Sequence, residues 1–348
     1  VTVVTTGDGT TSQGEFYEAI SWAAREKAPI VFLVENNRYA ISVEIHDQRP
    51  DGLIAENFKS FHGLEVVKVD GCEVEDSYKA LKMAIDKARD GFGPTLIDAS
   101  VVRLLPHSSS DDDKKYRTAK ELAQDKKRDP LDLLRAKLIK AKISAKKLDE
   151  IDESIKKHVD EMAEKALDAK ACDKEDALKH VWADVLEPKA QEPKIDESDA
   201  PTVLVDAINR ALREGLKADE KMLVFGQDVA HGKGGVFTAT RGLTEEFNKR
   251  CFNAPLAEAS IVGAAIGLAL RGFRPVPEIQ FGDYIWTAMM QIRNELSTIR
   301  YRSNGHFNAP VVIRVPVGGY IHGGLCHSQN IEATFAHIPG LKIVMPST

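Results

Sequence analysis

The stretch that most narrows what this chain can fold into is its opening, from Val1 to Tyr39. An apolar-leaning segment runs into Gly7-Asp8-Gly9, an amphipathic segment follows from Ser12 to Lys27, and Ile30-Val31-Phe32-Leu33-Val34 delivers the chain to Asn36-Asn37-Arg38-Tyr39. The order reads strand, glycine turn, helix, strand. It leaves a carboxylate at the end of the first strand and an amide at the end of the second. Open parallel sheets collect ligands there, beyond the carboxyl ends of their strands. Glycine and aspartate alone would equally suit a turn that merely packs.

The alternation continues. After a polar loop (His46 to Asp51) and a short segment from Ile54 to Phe61, Leu64–Val69 reads as a strand. Val74–Arg89 reads as a helix with Leu81, Ile85 and Ala88 on one face, and Thr95–Val102 as another strand. Strands alternating with helices imply a parallel sheet covered on both faces. From Thr118 to about Lys194 the character changes. No aromatic residue lies between Tyr116 and Trp182, and Leu131, Leu134, Leu138, Ile139, Ile143, Leu148, Ile151 and Ile155 recur at helical spacing among Lys, Asp and Glu. Two or more amphipathic helices are expected, serving as a solvated face or as a docking surface for another component. Glu187 to Pro201 reads as a linker.

A second α/β unit follows. Thr202–Ala218 is a helix with Val205, Ile208, Ala211, Leu212 and Leu216 inward, and Met222–Asp228 a strand. A glycine-rich loop (His231 to Gly235) and a polar helix (Thr244 to Arg250) come next. Pro255-Leu256-Ala257-Glu258 then precedes the almost wholly apolar Ile261–Leu270, a buried helix. Pro277 to Tyr284 should end a strand and open a long helix reaching about Arg302. Val311–Val315 and Leu341–Met345 read as strands, with a helix from Ile331 to Ala336. The expected fold class is α/β, with two doubly wound parallel-sheet domains joined by a charged helical segment. Its parts are residues 1–120, 121–200 and 201–348.

Composition excludes several classes. A net charge of -6 leaves no basic footprint for nucleic acid or anionic lipid. No apolar stretch is long enough to span a membrane. The four cysteines, Cys72, Cys172, Cys251 and Cys326, are too scattered for a zinc site or disulfide framework, and read as reduced thiols in a cytoplasmic protein. Val1 enters mid-strand and Ile343 to Thr348 stops just past one, so a piece of a longer chain is expected.

A hard cation such as magnesium takes oxygen ligands and usually shares them with phosphate. Asp8, the Asn37 side chain and a nearby carbonyl could supply three. Gly-Asp-Gly followed at this spacing by Asn-Asn resembles the thiamine diphosphate motif. The strings Gly-Asp-Gly-Thr-Thr-Ser-Gln-Gly-Glu and Asn-Asn-Arg-Tyr-Ala-Ile-Ser resemble the alpha part of the first component of 2-oxo acid dehydrogenase complexes. The resemblance implies thiamine diphosphate and Mg2+ as cofactors. It makes Asp8, Asn37 and the Tyr39 carbonyl metal ligands, and puts Gly9 and Thr10 beside the diphosphate. His107-Ser108-Ser109-Ser110-Asp111, with Tyr116-Arg117 beyond, resembles the family's regulatory loop. His107 would face the cofactor and assist transfer to the acyl acceptor, and Ser108 matches a position phosphorylated in mitochondrial relatives. From the residues alone, His107 is simply a solvated histidine in a polar loop.

Glu258 is the second decisive residue. An acid at the mouth of an apolar helix is disfavoured in its charged form and can share a proton with a ring nitrogen; equally, a glutamate at a helix start suits the macrodipole. Pro-Leu-Ala-Glu before Gly-Ala-Ala-Ile-Gly resembles the beta part of the same enzymes, where this glutamate binds the pyrimidine and drives the cofactor to its imino tautomer. By the same resemblance Tyr284 packs on the cofactor ring, and His327 lies near the substrate carboxylate, with His322 a weaker candidate. An aromatic at a helix start is also what a core position would show.

The resemblance covers about residues 1–120 and 200–348, with alpha and beta parts fused. It implies oxidative decarboxylation of a 2-oxo acid, then acyl transfer to the lipoyl group of an acyltransferase component. It also implies a homo-oligomer, at least a dimer, with each site built from two chains. The strings around Glu258, Glu278 to Ile285 and Cys326 to His337 look more like branched-chain (2-oxoisovalerate) enzymes than mammalian pyruvate dehydrogenase. Pyruvate is the alternative substrate, and a non-catalytic binding or scaffold fragment the alternative of another class. Three departures stand out. Residues upstream of Gly7 that help bind diphosphate are missing, as is the beta part's carboxy-terminal domain, and Glu35 stands where branched-chain relatives can carry arginine.

Overall fold

The computed structural model describes residues 1–183 and 201–346. The chain forms two compact units, Val1–Ala171 and Cys172–Thr348. Most of the expected linker, 187–200, lies outside the described residues.

The first unit is built on a four-stranded, wholly parallel sheet of β1 (Thr2–Gly7), β2 (Ile30–Asn36), β3 (Glu65–Asp70) and β4 (Thr95–Ser100), in the order β1-β2-β4-β3. Side chains alternate across it with period two. Phe32, Val34 and Leu96 meet Phe16, Ile20 and Ala23 of α1 (Gly14–Arg25) on one face. Val31, Ile97 and Ala99 meet Ala80 and Ala84 of α2 (Val74–Arg89) on the other. Both faces of β2 and β4 are therefore apolar, as a parallel sheet between helices requires. Phe58 is fully buried against Phe16 and contributes on the order of 3 kcal/mol through burial.

The polar stretch expected as a loop from His46 to Asp51 instead coils into two short turns, Ile45–Gln48 and Pro50–Gly52. Proline stands at the first position of the second, where its missing N–H costs nothing. The charged middle forms α3 (Ala119–Lys126), α4 (Pro130–Lys140) and α5 (Ala145–Leu167). Thr118 and Glu121 make a capping box at α3. These helices, expected within a separate segment 121–200, fall in the first unit, Val1–Ala171. Arg128 pairs with Asp70 and Lys137 with Glu73, tying them to the sheet's end.

The second unit has a three-stranded parallel sheet of β5 (Met222–Gly226), β6 (Cys251–Asn253) and β7 (Arg274–Glu278), ordered β6-β5-β7. Leu212 and Leu216 of α6 (Leu204–Ala218) pack on Val224, Leu243, Cys251 and Val276. Ala211, expected inward, is exposed. The apolar helix α7 (Glu258–Leu270) packs against β7 and the run after it.

Three expected elements differ. The long helix to Arg302 is broken into a 3-10 run (Gly282–Ala288), a π-turn (Gln291–Leu296) and a short α-helix (Ile299–Arg302). Ser297 and Thr298 hydroxyls bond the carbonyls of Arg293 and Asn294, four residues back, a habit that bends helices. Val311–Val315 follows β7 but forms only one bridge, Arg314 to Glu278. Val312 and Arg314 donate to the carbonyls of Pro275 and Pro277, and those prolines have no N–H to return. Leu341–Met345 forms no strand and pairs with none among the described residues, and Val344 is 81% exposed.

Candidate functional site

The site of the first unit grows from the register of its strands. Gly7 of β1 lies opposite Glu35 of β2, so Asp8 and Asn37 emerge side by side past the sheet's carboxyl end. Asp8 is 2% exposed, and its Oδ2 has no hydrogen-bond partner. Burial pushes its pKa up. Its own N–H, that of Asn37, and the charge of Arg103 pull the other way, while Asp98 adds to the rise. An orphaned, buried carboxylate oxygen is costly unless something completes it.

The surroundings of Asp8 are fixed by contact. A Cβ on Gly9 would stand 2.6 Å from the Cβ of Ala40, so only glycine lets the turn touch the segment after Tyr39. Thr11 donates from its hydroxyl to the Asp8 carbonyl at 2.6 Å. Thr10 is exposed. The Asn37 Oδ1 accepts from the Tyr39 N–H at 3.0 Å, a turn that aims the amide and leaves that oxygen one lone pair. Asn36 is held by Asp98 at 3.0 Å, and Asp98 also caps the Ala55 N–H.

Tyr39 links this turn to the loop of His107. Its ring lies 6.0 Å from that of Tyr116, with the guanidinium groups of Arg103 and Arg117 at 5.6 and 5.4 Å. Burial, then the charges of Glu121 and Glu44, raises its phenol pKa. Arg103 donates to Ile41 O at 2.8 Å and Tyr116 Oη at 2.6 Å. Tyr116 in turn donates to Asp111 at 2.6 Å, and Asp111 accepts from the His107 N–H at 2.9 Å. His107 and Ser108 themselves are exposed on this pinned loop.

In the second unit Glu258 opens α7 and is 8% exposed. It accepts from Gln227 Nε2 at 3.4 Å and from the Thr287 hydroxyl at 3.3 Å. The same hydroxyl lies 3.1 Å from the Tyr284 carbonyl. Tyr284 Oη and His327 Nε2 are 2.7 Å apart, and Phe281 meets the imidazole edge-on at 4.5 Å. His327 has φ 65, a left-handed backbone that a non-glycine residue adopts under constraint. His322 is exposed. At the end of β7, buried Glu278 pairs with Arg314, its pKa pushed up by burial and held down by that arginine.

Asp8, Gly9, Thr10, Asn37 and Tyr39 thus stand together in one unit, and Glu258, Tyr284 and His327 in the other. Sequence reasoning missed Arg103, Asp98, Gln227 and Thr287, which bond to these residues or to their neighbours. Arg103 carries the one sequence signal, a lone cation in Val101-Val102-Arg103-Leu104-Leu105. Among the described residues, no group of three or more His, Cys, Asp or Glu is placed to hold a metal ion. A metal here would therefore rest on the Asp8 carboxylate completed by amide and carbonyl oxygens. The hard donor set and the orphaned oxygen fit a magnesium-type ion.

Two parallel-sheet units, each presenting a buried acid at a strand end or helix head, define an α/β protein. Residues 1–175 match the family model of the dehydrogenase E1 component, and residues 202–348 that of the transketolase pyrimidine-binding domain. The chain belongs to the dehydrogenase E1 component family. It is 52% identical over 145 residues to the 2-oxoisovalerate dehydrogenase subunit beta of Bacillus subtilis (strain 168), covering 41% of this chain and 44% of that one. It is 49% identical over 146 residues to the 3-methyl-2-oxobutanoate dehydrogenase subunit beta of Mycobacterium tuberculosis, 42% of each chain. The pyruvate dehydrogenase E1 component subunit beta of Bacillus subtilis is 47% identical over 150 residues, 43% of this chain and 46% of that one. The chain spans less than half the length of these relatives.

Proposed function

We propose that this chain carries both half-sites of the first component of a 2-oxo acid dehydrogenase complex. It would act on the branched-chain substrate 2-oxoisovalerate, with thiamine diphosphate and Mg2+, and pass the acyl group to the lipoyl group of an acyltransferase partner. The observation that carries the reading is the orphaned Asp8 carboxylate beside Asn37. When bound, thiamine diphosphate supplies the electron sink that decarboxylation needs. The chain's own residues do the rest. Asp8, Asn37 Oδ1 and the Tyr39 carbonyl would hold the metal, with Gly9 and Thr10 alongside the diphosphate. Glu258 would hold a proton toward a pyrimidine nitrogen, and Tyr284 would pack on the ring. His107 and His327 would manage protons and charge, the work of general acid–base side chains. The assembly would be at least a dimer.

Pyruvate is the second reading, favoured by the 47% identity to a pyruvate enzyme's beta subunit. Calorimetry with thiamine diphosphate and Mg2+, with Asp8→Ala as control, tests cofactor use. Absence of heat from the unmodified chain favours a non-catalytic fragment. Decarboxylation of 3-methyl-2-oxobutanoate against pyruvate, with an artificial electron acceptor, decides the substrate. Equal or faster turnover of pyruvate rejects the branched-chain assignment.

A further inference from the structure

Arg49 is a charged side chain without a charged partner among the described residues. It is 5% exposed, and among the described residues no carboxylate lies within ion-pair distance. Its Nε donates to Thr11 Oγ1 at 2.9 Å, one terminal nitrogen to the Thr11 carbonyl, and the other to Tyr17 Oη at 3.1 Å. The guanidinium also lies over the rings of Tyr17 and Phe58, at 5.8 and 5.5 Å from their centroids. A buried cation held only by neutral oxygens and ring faces carries a desolvation cost that no opposite charge offsets.

We propose that Arg49 is a positioning residue that sets the Asp8 turn, acting through Thr11; its role toward a cofactor rests on the function proposed above. A hydroxyl has one proton and two lone pairs. With the Arg49 N–H on one lone pair, the Thr11 proton turns to the Asp8 carbonyl, 2.6 Å away. The Thr11 N–H also donates to that carbonyl, at 3.1 Å. Arg49, Thr11 and Asp8 thus form one directed chain of hydrogen bonds. It locks the 3-10 turn Gly9–Ser12, from whose head the Asp8 carboxylate points. The fork geometry matters, because a lysine offers a point charge and cannot grip the Thr11 hydroxyl and carbonyl together.

The test uses the full chain with Arg49→Met, Arg49→Lys, the near-isosteric Thr11→Val, and the Arg49→Met/Thr11→Val double variant. In the cofactor-free protein, Arg49→Met should unfold at the same temperature as the unmodified chain or higher. Amide hydrogen exchange confined to the peptide covering residues 8–12 should speed up by ~10-fold or more. Thr11→Val should do the same, Arg49→Lys should not restore protection, and the double variant should be no worse than either single. With thiamine diphosphate and Mg2+, each variant should bind ~10-fold or more weakly. Unchanged exchange at residues 8–12 in Thr11→Val, or additive losses in the double variant, would overturn the proposal. If Arg49→Met unfolds outright, Thr11→Val and Arg49→Lys decide by the same exchange readout. No cofactor binding by the unmodified chain would overturn the proposed function alone, since the exchange result stands without it.

Discussion

The two candidate sites hold their acids in opposite ways. Around Asp8 the bonds are short and numerous: Thr11 at 2.6 Å, Asn36 to Asp98 at 3.0 Å, and Asn37 to Tyr39 at 3.0 Å. The carboxylate at the centre nevertheless keeps one oxygen unsatisfied. Glu258 is buried as well, but its two contacts, at 3.4 and 3.3 Å, are long for hydrogen bonds. The role proposed for Asp8, holding an ion, would gain from a rigid frame with an open valence. The role proposed for Glu258, passing a proton, would gain from partners that do not commit it to one state.

Breaking the second candidate site should show the larger effect on chemistry. Glu258→Gln keeps the shape and removes the ionisable group. We expect exchange of the thiazolium proton, followed by NMR, to slow by ~10²-fold or more, the scale of a lost general acid–base. Thiamine diphosphate affinity should change far less. Retained exchange would remove the role of Glu258.

Asp8→Asn should do the reverse, weakening Mg2+-dependent binding by ~10-fold or more in calorimetry while sparing the fold. The pH dependence sharpens the contrast. Burial raises the folded-state pKa of Asp8 above its unfolded value of 3.8. The native chain therefore binds more protons than the unfolded one between those two values. Metal-free stability should fall as pH rises through that window and stay at the lower level above it. Asp8→Asn should flatten its share of the fall, read as the midpoint of urea unfolding against pH. Glu278, also raised by burial, contributes a fall of the same sign that Asp8→Asn leaves in place.

How much of this was legible in the sequence follows from where the information sits. Helix α2 has the bounds read from its periodicity, Val74 to Arg89, because its apolar spacing and the glycines after it are local signals. The failures are non-local. The missing strand at Val311–Val315 depends on prolines in a neighbouring strand; the break in the helix after Gly282 is the local exception, since its hydroxyls bond only four residues back. The same holds for the sites. Asp8, Asn37 and Glu258 stand beside turn and helix-start residues that mark them. Arg49, Asp98, Gln227 and Thr287 act through contacts that only folding creates, 31 to 62 residues away for most of them.

The smallest effects compare two glycines. Gly9→Ala puts a Cβ 2.6 Å from that of Ala40, a contact that must be relieved by moving the turn or the segment after Tyr39. Overpacking of this kind costs about 1–3 kcal/mol, and here the displaced atoms adjoin Asp8, so binding of Mg2+ should weaken with stability. Gly267 lies within α7, and an added Cβ there meets nothing within 4 Å. Gly267→Ala should therefore stabilise the second unit by roughly 0.5–1 kcal/mol through helix propensity alone, leaving metal binding at Asp8 unchanged. Urea unfolding midpoints with parallel Mg2+ titrations separate the two. If Gly9→Ala leaves both quantities as they were, the turn is looser than its contacts imply, and the contrast between a rigid ion frame and an uncommitted acid fails on its first side.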